Sequence, residues 1–354
     1  MKSEHFILLI SLLFFFSCRS RTFVYQNPIT DGIDEGGLRD CQIVRDCGRW
    51  YMTGTCAPVH VGANPGVSLY SSSDLKHWKF ENYLIEREKL DSSVWYYDRF
   101  WAPEIHKIKN KYYLLFNSKN ETKSYTHGRG TCVAVSKKIT GPYTVLTEDQ
   151  EFSGGIDLNF FEDTDGKVYA NWHDSIFIYS AEVDMEIMKP KNIYVALSPD
   201  SCGWDSAGIE GSFVIKHNGT YYMFYSSWTR GYEIGYATSK SPNGPWKKYE
   251  SNPIYGGQDE ARCMKYGGIY SGNPEDPFGQ VGHCNIFKGP DNGYYLSCHG
   301  ILNGGNHSKH NYKENGFAIY VLSYLRNILP ISVCAIQYKR CMARRTNNEV
   351  CGQV

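Results

Sequence analysis

Short apolar runs broken by turn residues fill most of this chain, and one phrase built from them returns five times: a polar anchor, an apolar strand, a turn, then an aromatic-rich strand. The copies read LRDCQIVRDCGRWYMTGT, APEIHKIKNKYYLLFN, GIDLNFFEDTDGKVYANW, GIEGSFVIKHNGTYYMFYS and VGHCNIFKGPDNGYYLSCH. Their anchors are Asp40, Glu104, Asp157, Glu210 and His283. Tyr51, Tyr113, Tyr169, Tyr222 and Tyr295 follow after eleven, nine, twelve, twelve and twelve positions. Asp165-Gly166, Asn218-Gly219 and Asp291-Asn292-Gly293 supply hairpin turns inside the phrase.

Several copies continue into a second recognisable half. GVSLYSSSDLKHWKF, GTCVAVSKKITGPYTV and YEIGYATSKSPNGPWKKY each give a strand, a Ser-rich turn and another short strand. Successive anchors lie 64, 53, 53 and 73 residues apart, room for four short antiparallel strands and their loops. The expectation is an all-β fold, a five-bladed β-propeller. In such a fold the innermost strand of each blade borders the central channel, so a polar residue at its start faces a shared cavity. A single Asp or Glu is usually a solvated surface residue. Acids and a histidine at a repeated position point instead to one pocket.

Composition agrees with strands and turns rather than long helices: 28 Tyr, 8 Trp, 17 Phe and 34 Gly, with only 21% charged residues. Lys+Arg 37 balances Asp+Glu 37 over 354 residues, so there is no basic surplus for nucleic acid, which is not expected as a partner. Residues 1–18 join Lys2 to an apolar run, Phe6 to Phe16, of signal-peptide length and too short to span a bilayer. Phe15-Phe16-Ser17-Cys18 resembles a bacterial lipobox, which implies export and a lipid anchor on Cys18 at the membrane, with simple cleavage to a periplasmic or secreted protein as the other outcome. Eleven cysteines remain after Cys18, an odd number that leaves at least one unpaired, and no Cys-x-x-Cys occurs.

The repeats resemble glycoside hydrolase family 43, five-bladed propeller enzymes of the arabinanase, arabinofuranosidase and β-xylosidase type, over roughly residues 24–315. The resemblance implies an exported hydrolase of O-glycosyl bonds in arabinose- or xylose-containing plant polysaccharides or oligosaccharides, acting with inversion. By that resemblance Asp40, in Leu38-Arg39-Asp40, is the general base and Glu210, in Ile209-Glu210-Gly211, the general acid. Asp157, in Ile156-Asp157, modulates the acid's pKa and orients it. Trp101-Ala102-Pro103-Glu104 and Gly282-His283 look like the remaining inner-strand signatures, so Trp101, Glu104 and His283 are candidate substrate-binding residues. In some members such a histidine approaches a bound calcium ion. His283 is therefore the candidate metal residue and calcium the candidate occupant of the channel, with no cofactor required.

Two departures stand out. A proline often follows each family acid, whereas Cys41, Leu158 and Ser212 stand here. An arginine often follows the blade-five tyrosine, whereas this chain reads Leu296-Ser297-Cys298-His299-Gly300.

Inversion needs one protonated carboxyl to protonate the leaving oxygen and one carboxylate to activate water, roughly 6.5–9.5 Å apart. Carrying Asp40 and Glu210 on different blades supplies that separation. Trp95, Tyr96, Trp101, Trp172, Trp204 and Trp228 lie near the ends of the inner strands or in their loops. Each alone reads as core; as a set they promise one or two sugar platforms, with Trp101 and Trp172 the candidates. His106, His127, His173 and His299 lack any His-Glu-x-x-His spacing and read as structural. Asn120, Asn218 and Asn306 open glycosylation triplets that carry no weight in a bacterial lipoprotein. Residues 316–354 resemble nothing at the family's end and read either as closing strands of blade five or as an aberrant terminus. A monomer is expected. The alternative is a catalytically silent glycan-binding propeller, which needs aromatics and amides but no acids facing one another.

Overall fold

The structure, a computed structural model, describes residues 29–302 apart from 30, 35–36, 61, 124–127 and 273–277, together with the strand Ala318–Ser323. The segment 1–18 with Cys18, and the C-terminal stretch other than that strand, lie outside the described residues.

Each repeat copy folds as an inner strand with its antiparallel partner. The five inner strands are Leu38–Asp46, Arg99–Ile108, Ile156–Glu162, Glu210–His217 and Phe278–Lys288. Their partners are Arg49–Cys56, Lys111–Lys119, Val168–Asp174, Thr220–Ser227 and Tyr294–Leu302. Local chemistry sets the tight turns. Cys47 and Gly48 (φ 47° and 82°), like Asn218 and Gly219 (φ 48° and 71°), are both left-handed, as a type I′ hairpin matched to strand twist demands.

The sheets of blades one to three have four strands each and that of blade four has five. The outer edge of blade four is split between Lys247–Lys248 and Tyr255–Gln258, which both pair with Gly231–Ser239. Blade five has three strands among the described residues, the third being Ala318–Ser323, so part of the 316–354 segment belongs to it.

The blades are held together by five apolar clusters, each shared by two neighbours. Leu69 of blade one meets Phe100, Leu114 and Phe116 of blade two; Leu115 of blade two meets Phe160 and Trp172 of blade three. Ile178 of blade three meets Met223 and Tyr225 of blade four, and Phe224 meets Ile286 and Leu296 of blade five. Ile43 and Met52 then pack on Phe287 and Tyr295, closing the ring. Burying one such side chain is worth roughly 1.5–3 kcal/mol. The aromatic second strands therefore join blades rather than bind ligand.

One backbone feature recurs in every inner strand. Asp40, Ala102, Asp157, Gly211 and His283 all have positive φ, between 42° and 63°. A register shift accompanies it in blades one, two, four and five on the inner strand and in blade three across its partner. These are β-bulges, which bend a strand and re-aim side chains. They also correct the repeat alignment. In blade two the equivalent position is Ala102, with Glu104 two residues further along, and in blade four it is Gly211, with Glu210 one residue before. Measured from these positions, the five tyrosines follow after eleven or twelve residues each.

Candidate active site

The bulges build two rings at one end of the channel. Among the residues just before the left-handed position, Arg39, Trp101, Ile156 and Glu210 line a single cavity of about 500 Å³. Of the left-handed residues themselves, Asp40, Asp157 and His283 line it too. The three carboxylates thus meet, from blades one, three and four.

Asp40 is buried. Thr55 Oγ1 donates to its Oδ2 at 2.8 Å, while Arg39 Nε, His299 Nδ1 and His283 Nδ1 stand 3.4, 3.4 and 3.5 Å from its Oδ1. Burial favours the protonated acid, but Arg39, His283, His299 and the Thr55 hydroxyl outweigh it and hold the Asp40 carboxyl well below the usual range. Asp157 is the opposite case. Burial leads, Glu210 and Asp40 add to it, and His283 only partly compensates, so its pKa is pushed up to about 6. His283 bridges the two, 3.7 Å from Asp157 Oδ2. Burial would lower its pKa, but Asp157, Asp40, Glu104 and Glu210 together raise it above the ordinary value.

Glu210 is half-buried and is positioned from two sides. Tyr232 Oη donates to Oε1 at 2.7 Å, and the next residue's amide, Gly211 N–H, donates to Asp157 Oδ2 at 2.9 Å. Burial, with Glu210 after it, pushes the Tyr232 hydroxyl well up, so it remains a donor. At Gly211 a Cβ would come 3.1 Å from His283 Nδ1 with φ at 60°, two reasons for glycine there.

A third ring comes from the partner strands, four residues after each repeated tyrosine: Thr55, Asn117, His173, Ser226 and His299. Thr55 Oγ1 accepts Ala102 N–H (2.8 Å), Ser226 Oγ accepts His283 N–H (2.9 Å), and His299 Nδ1 accepts Asp40 N–H (3.1 Å). His173 Nδ1 donates to Ile209 carbonyl at 2.7 Å. Each of these ties a blade to the inner strand of the next, so the polar ring fixes the backbone at Asp40, Ala102, His283 and the residue before Glu210. Sequence reading passed over this ring, although the fixed offset from the tyrosines was its signal.

Several sequence expectations change. Glu104 is buried one layer deeper in the channel, outside the cavity lining, where His106 Nε2 (2.7 Å) and Asn159 Nδ2 (2.9 Å) occupy Oε2. Trp172 also leaves the substrate-binding set: it is buried between blades two and three and stacks on Tyr179. Neighbours on a strand face opposite ways, and His173 faces the cavity. Trp95, Tyr96 and Trp204 are core as well. Trp101 and Trp228 are the tryptophans that line the cavity, Trp101 held by its Nε1–H to the Val59 carbonyl at 2.8 Å. His127 lies outside the described residues.

Calcium takes about six to eight oxygen donors. Here the place beside Asp40 and Asp157 is filled by the His283 ring, with Arg39 on the other side of Asp40, so the residues present do not fit a divalent cation. Among the described residues no group of three His, Cys, Asp or Glu is arranged around a metal position. The cysteines described, Cys41, Cys47, Cys56, Cys132, Cys202, Cys263, Cys284 and Cys298, are all unpaired.

A ring of β blades that carries three carboxylates to one polar pocket defines a β-propeller with a carboxylate-bearing axial site. The particular family follows from comparison with known proteins: the model for Glycosyl hydrolases family 43 matches residues 25–316, and the chain belongs to that family. Among curated relatives, the extracellular endo-alpha-(1->5)-L-arabinanase 2 of Bacillus subtilis is 27% identical, over 65% of this chain and 53% of that protein. Xylosidase/arabinosidase 43B of Humicola insolens is 26% identical, over 77% of this chain and 48% of that one. The chain spans about half the length of the curated relatives it matches. The crystal structure of a thermostable family-43 glycoside hydrolase superposes with a TM-score of 0.63 at 26% identity, covering 84% of this chain and 91% of that one.

Proposed function

We propose that the protein is an inverting glycosidase acting on arabinose- or xylose-containing plant polysaccharides or oligosaccharides, with Asp40 as general base, Glu210 as general acid and Asp157 positioning the acid. The observation that carries this reading is that Asp40 and Glu210 arrive on two non-adjacent blades, one and four, and border one cavity. Arg39, His283 and Thr55 keep Asp40 ionised, as activation of water requires. Asp157 grips the amide next to Glu210 and Tyr232 its carboxyl, so the acid is aimed before substrate arrives. Trp101 and Trp228 offer flat faces to sugar rings. The relatives named for arabinan and xylose chemistry supply the substrate class.

The test separates the two roles. An acid matters only when the leaving group needs a proton, whereas the base serves every substrate. Glu210→Ala should lose several orders of magnitude on polysaccharide but keep much of its rate on an aryl glycoside with a strongly acidic phenol, and Asp40→Asn should be poor on both. General acid or base help is typically worth about 10²–10⁴-fold, and early-time proton NMR should show the inverted anomer. Equal losses on both substrates, or a retained product, would overturn the assignment. If wild type cleaves nothing yet binds glycan, the silent-propeller alternative stands.

The reading extends to an exported, monomeric lipoprotein anchored through Cys18. Wild type should partition with membranes and Cys18→Ala should not; a wholly soluble wild type with its N-terminus beyond Cys18 refutes the anchor.

A further inference from the structure

The cavity carries more positive charge than hydrolysis of a neutral sugar requires. Arg39, Arg99, Lys119, Arg129 and Arg262 line it, against Asp40, Asp157 and Glu210. Arg39 is accounted for by Asp40, 3.4 Å away. Arg99 and Lys119 share the half-exposed Glu121, at 2.9 and 2.8 Å. Arg129 and Arg262 make no ion pair among the described residues, and Nε of both Arg99 and Arg129 is buried without a hydrogen-bond partner.

These cations come from separate segments: Arg99 opens the inner strand of blade two, Arg129 precedes the strand Gly130–Ser136, and Arg262 sits on the short helix Glu260–Tyr266 beyond blade four. His60 ties part of the group together. Arg99 Nη1 donates to its carbonyl at 2.6 Å and Arg39 Nη1 lies 3.5 Å from its Nε2. Burial first, then Arg39, Arg99 and Arg262, push the His60 ring's pKa down, so it adds no further charge.

A sugar entering this cavity would cover the parts of Arg129 and Arg262 that line it. Donors desolvated without an acceptor cost free energy. A neutral pentose brings only hydroxyls, whereas a carboxylate or sulfate matches the planar guanidinium fork in charge and geometry. We infer that Arg129 and Arg262 form a subsite for an anionic substituent of the glycan, a uronate carboxylate or a sulfate ester, in the same cavity as Asp40 and Glu210. The inference rests on the glycosidase reading for the sugar backbone and adds the charge.

The experiment compares four matched xylo-oligosaccharides: neutral, glucuronate-substituted, the same compound with its carboxyl reduced to an alcohol, and sulfated. Cleavage gives kcat/KM for wild type, Arg129→Gln, Arg262→Gln and the double variant, and calorimetry gives binding to Asp40→Asn. Wild type should prefer a charged compound to the carboxyl-reduced one, and the preference should shrink in about 0.5 M salt. The charged-to-neutral ratio should fall roughly tenfold for each arginine removed, the scale of one charge-assisted hydrogen bond. Preference for the uronate or for the sulfate ester identifies the source of the anion. Cleavage of all four compounds at equal kcat/KM overturns the subsite and leaves the glycosidase reading standing. Binding of a charged compound to Asp40→Asn, lost in the added Arg262→Gln, with no cleavage by wild type, keeps the subsite and overturns the glycosidase reading. Neither binding nor cleavage overturns both.

Discussion

Thr55 offers the sharpest test of how the fold holds its acids. Its side chain is fully buried, and its single hydroxyl joins two blades: Oγ1 accepts Ala102 N–H at 2.8 Å and donates to Asp40 Oδ2 at 2.8 Å. Thr55→Val keeps the shape and deletes both bonds. Losing a donor to an ionised carboxylate costs about 1.5–3 kcal/mol, and leaving the Ala102 amide buried without an acceptor costs about 1–3 kcal/mol. The methyl that replaces the hydroxyl returns about 1 kcal/mol of burial. The net loss is about 1.5–5 kcal/mol, a large share of the roughly 5–15 kcal/mol typical of folded proteins. Ala102 has φ 42°, so the segment released is one that only its neighbours keep in place.

The same change frees one oxygen of Asp40. Arg39 and His283 remain close enough to keep the group ionised, so the loss should appear as misplacement rather than altered charge. A shift of about 1 Å can cost roughly 10²-fold in rate, so kcat should fall about tenfold to a hundredfold on an aryl glycoside while KM changes little. Urea unfolding and steady-state kinetics on Thr55→Val, with Thr55→Ser expected to restore both, make the measurement. A valine variant that loses under about 1 kcal/mol and keeps its kcat would refute the claim that the polar ring positions the acids.

Tyr232→Phe keeps the ring that stacks on His299 at 5.3 Å but removes the hydroxyl bonded to Glu210; kcat on polysaccharide should drop about tenfold, more than on an activated aryl glycoside, with little change in urea midpoint. Stability should depend on pH through the buried acids. Asp157 has a raised pKa, so its contribution is present below 3.8 and is lost as pH rises through about 6, on the order of 3 kcal/mol for this buried group, and His283, raised above 6.5, loses its contribution over a window that starts there. Asp40 is depressed, so its contribution is present above 3.8 and lost only as pH falls below that. His299 and His60, whose pKa values are lowered, gain stability as pH rises toward 6.5 and oppose this, so the readout is the difference between proteins: from pH 4 to 7 the melting temperature of wild type should fall relative to that of Asp157→Asn, and parallel curves would contradict the burial of Asp157.

The strands, the hairpin turns and the blade period were legible because each depends on local pattern: apolar runs, Asn-Gly and Asp-Gly turns, and repeated tyrosines. Asp40, Asp157, Glu210 and His283 were legible for the same reason, as polar residues at the start of a repeated phrase. Alignment within the phrase was not. Glu104 took the anchor place because it is the nearest acid in its copy, while the residue in the equivalent backbone position, Ala102, carries no chemistry of its own. Trp172 was misplaced because strand alternation is interrupted at the bulge, and nothing local says whether Trp172 or His173 faces the channel. The cationic side of the cavity was invisible because Arg99, Arg129 and Arg262 come from unrelated positions in the repeat and meet only in three dimensions.

The bulge also explains how one repeat serves two catalytic partners. In a regular strand consecutive side chains point to opposite faces, so a blade could present one channel residue but not two neighbours. A left-handed residue at the strand's start breaks that alternation, and in blades one and three both members of the pair, Arg39 with Asp40 and Ile156 with Asp157, reach the cavity. Blade four uses the same turn differently. Its left-handed position is Gly211, which gives its amide to Asp157 and leaves the preceding residue, Glu210, as the cavity's third carboxylate. Base and acid therefore occupy different positions of the same local motif, Asp40 on the left-handed residue and Glu210 one step before it. Their separation and their unlike surroundings, a buried cradle for Asp40 and a half-open one for Glu210, follow from that one-residue offset as much as from their place on different blades.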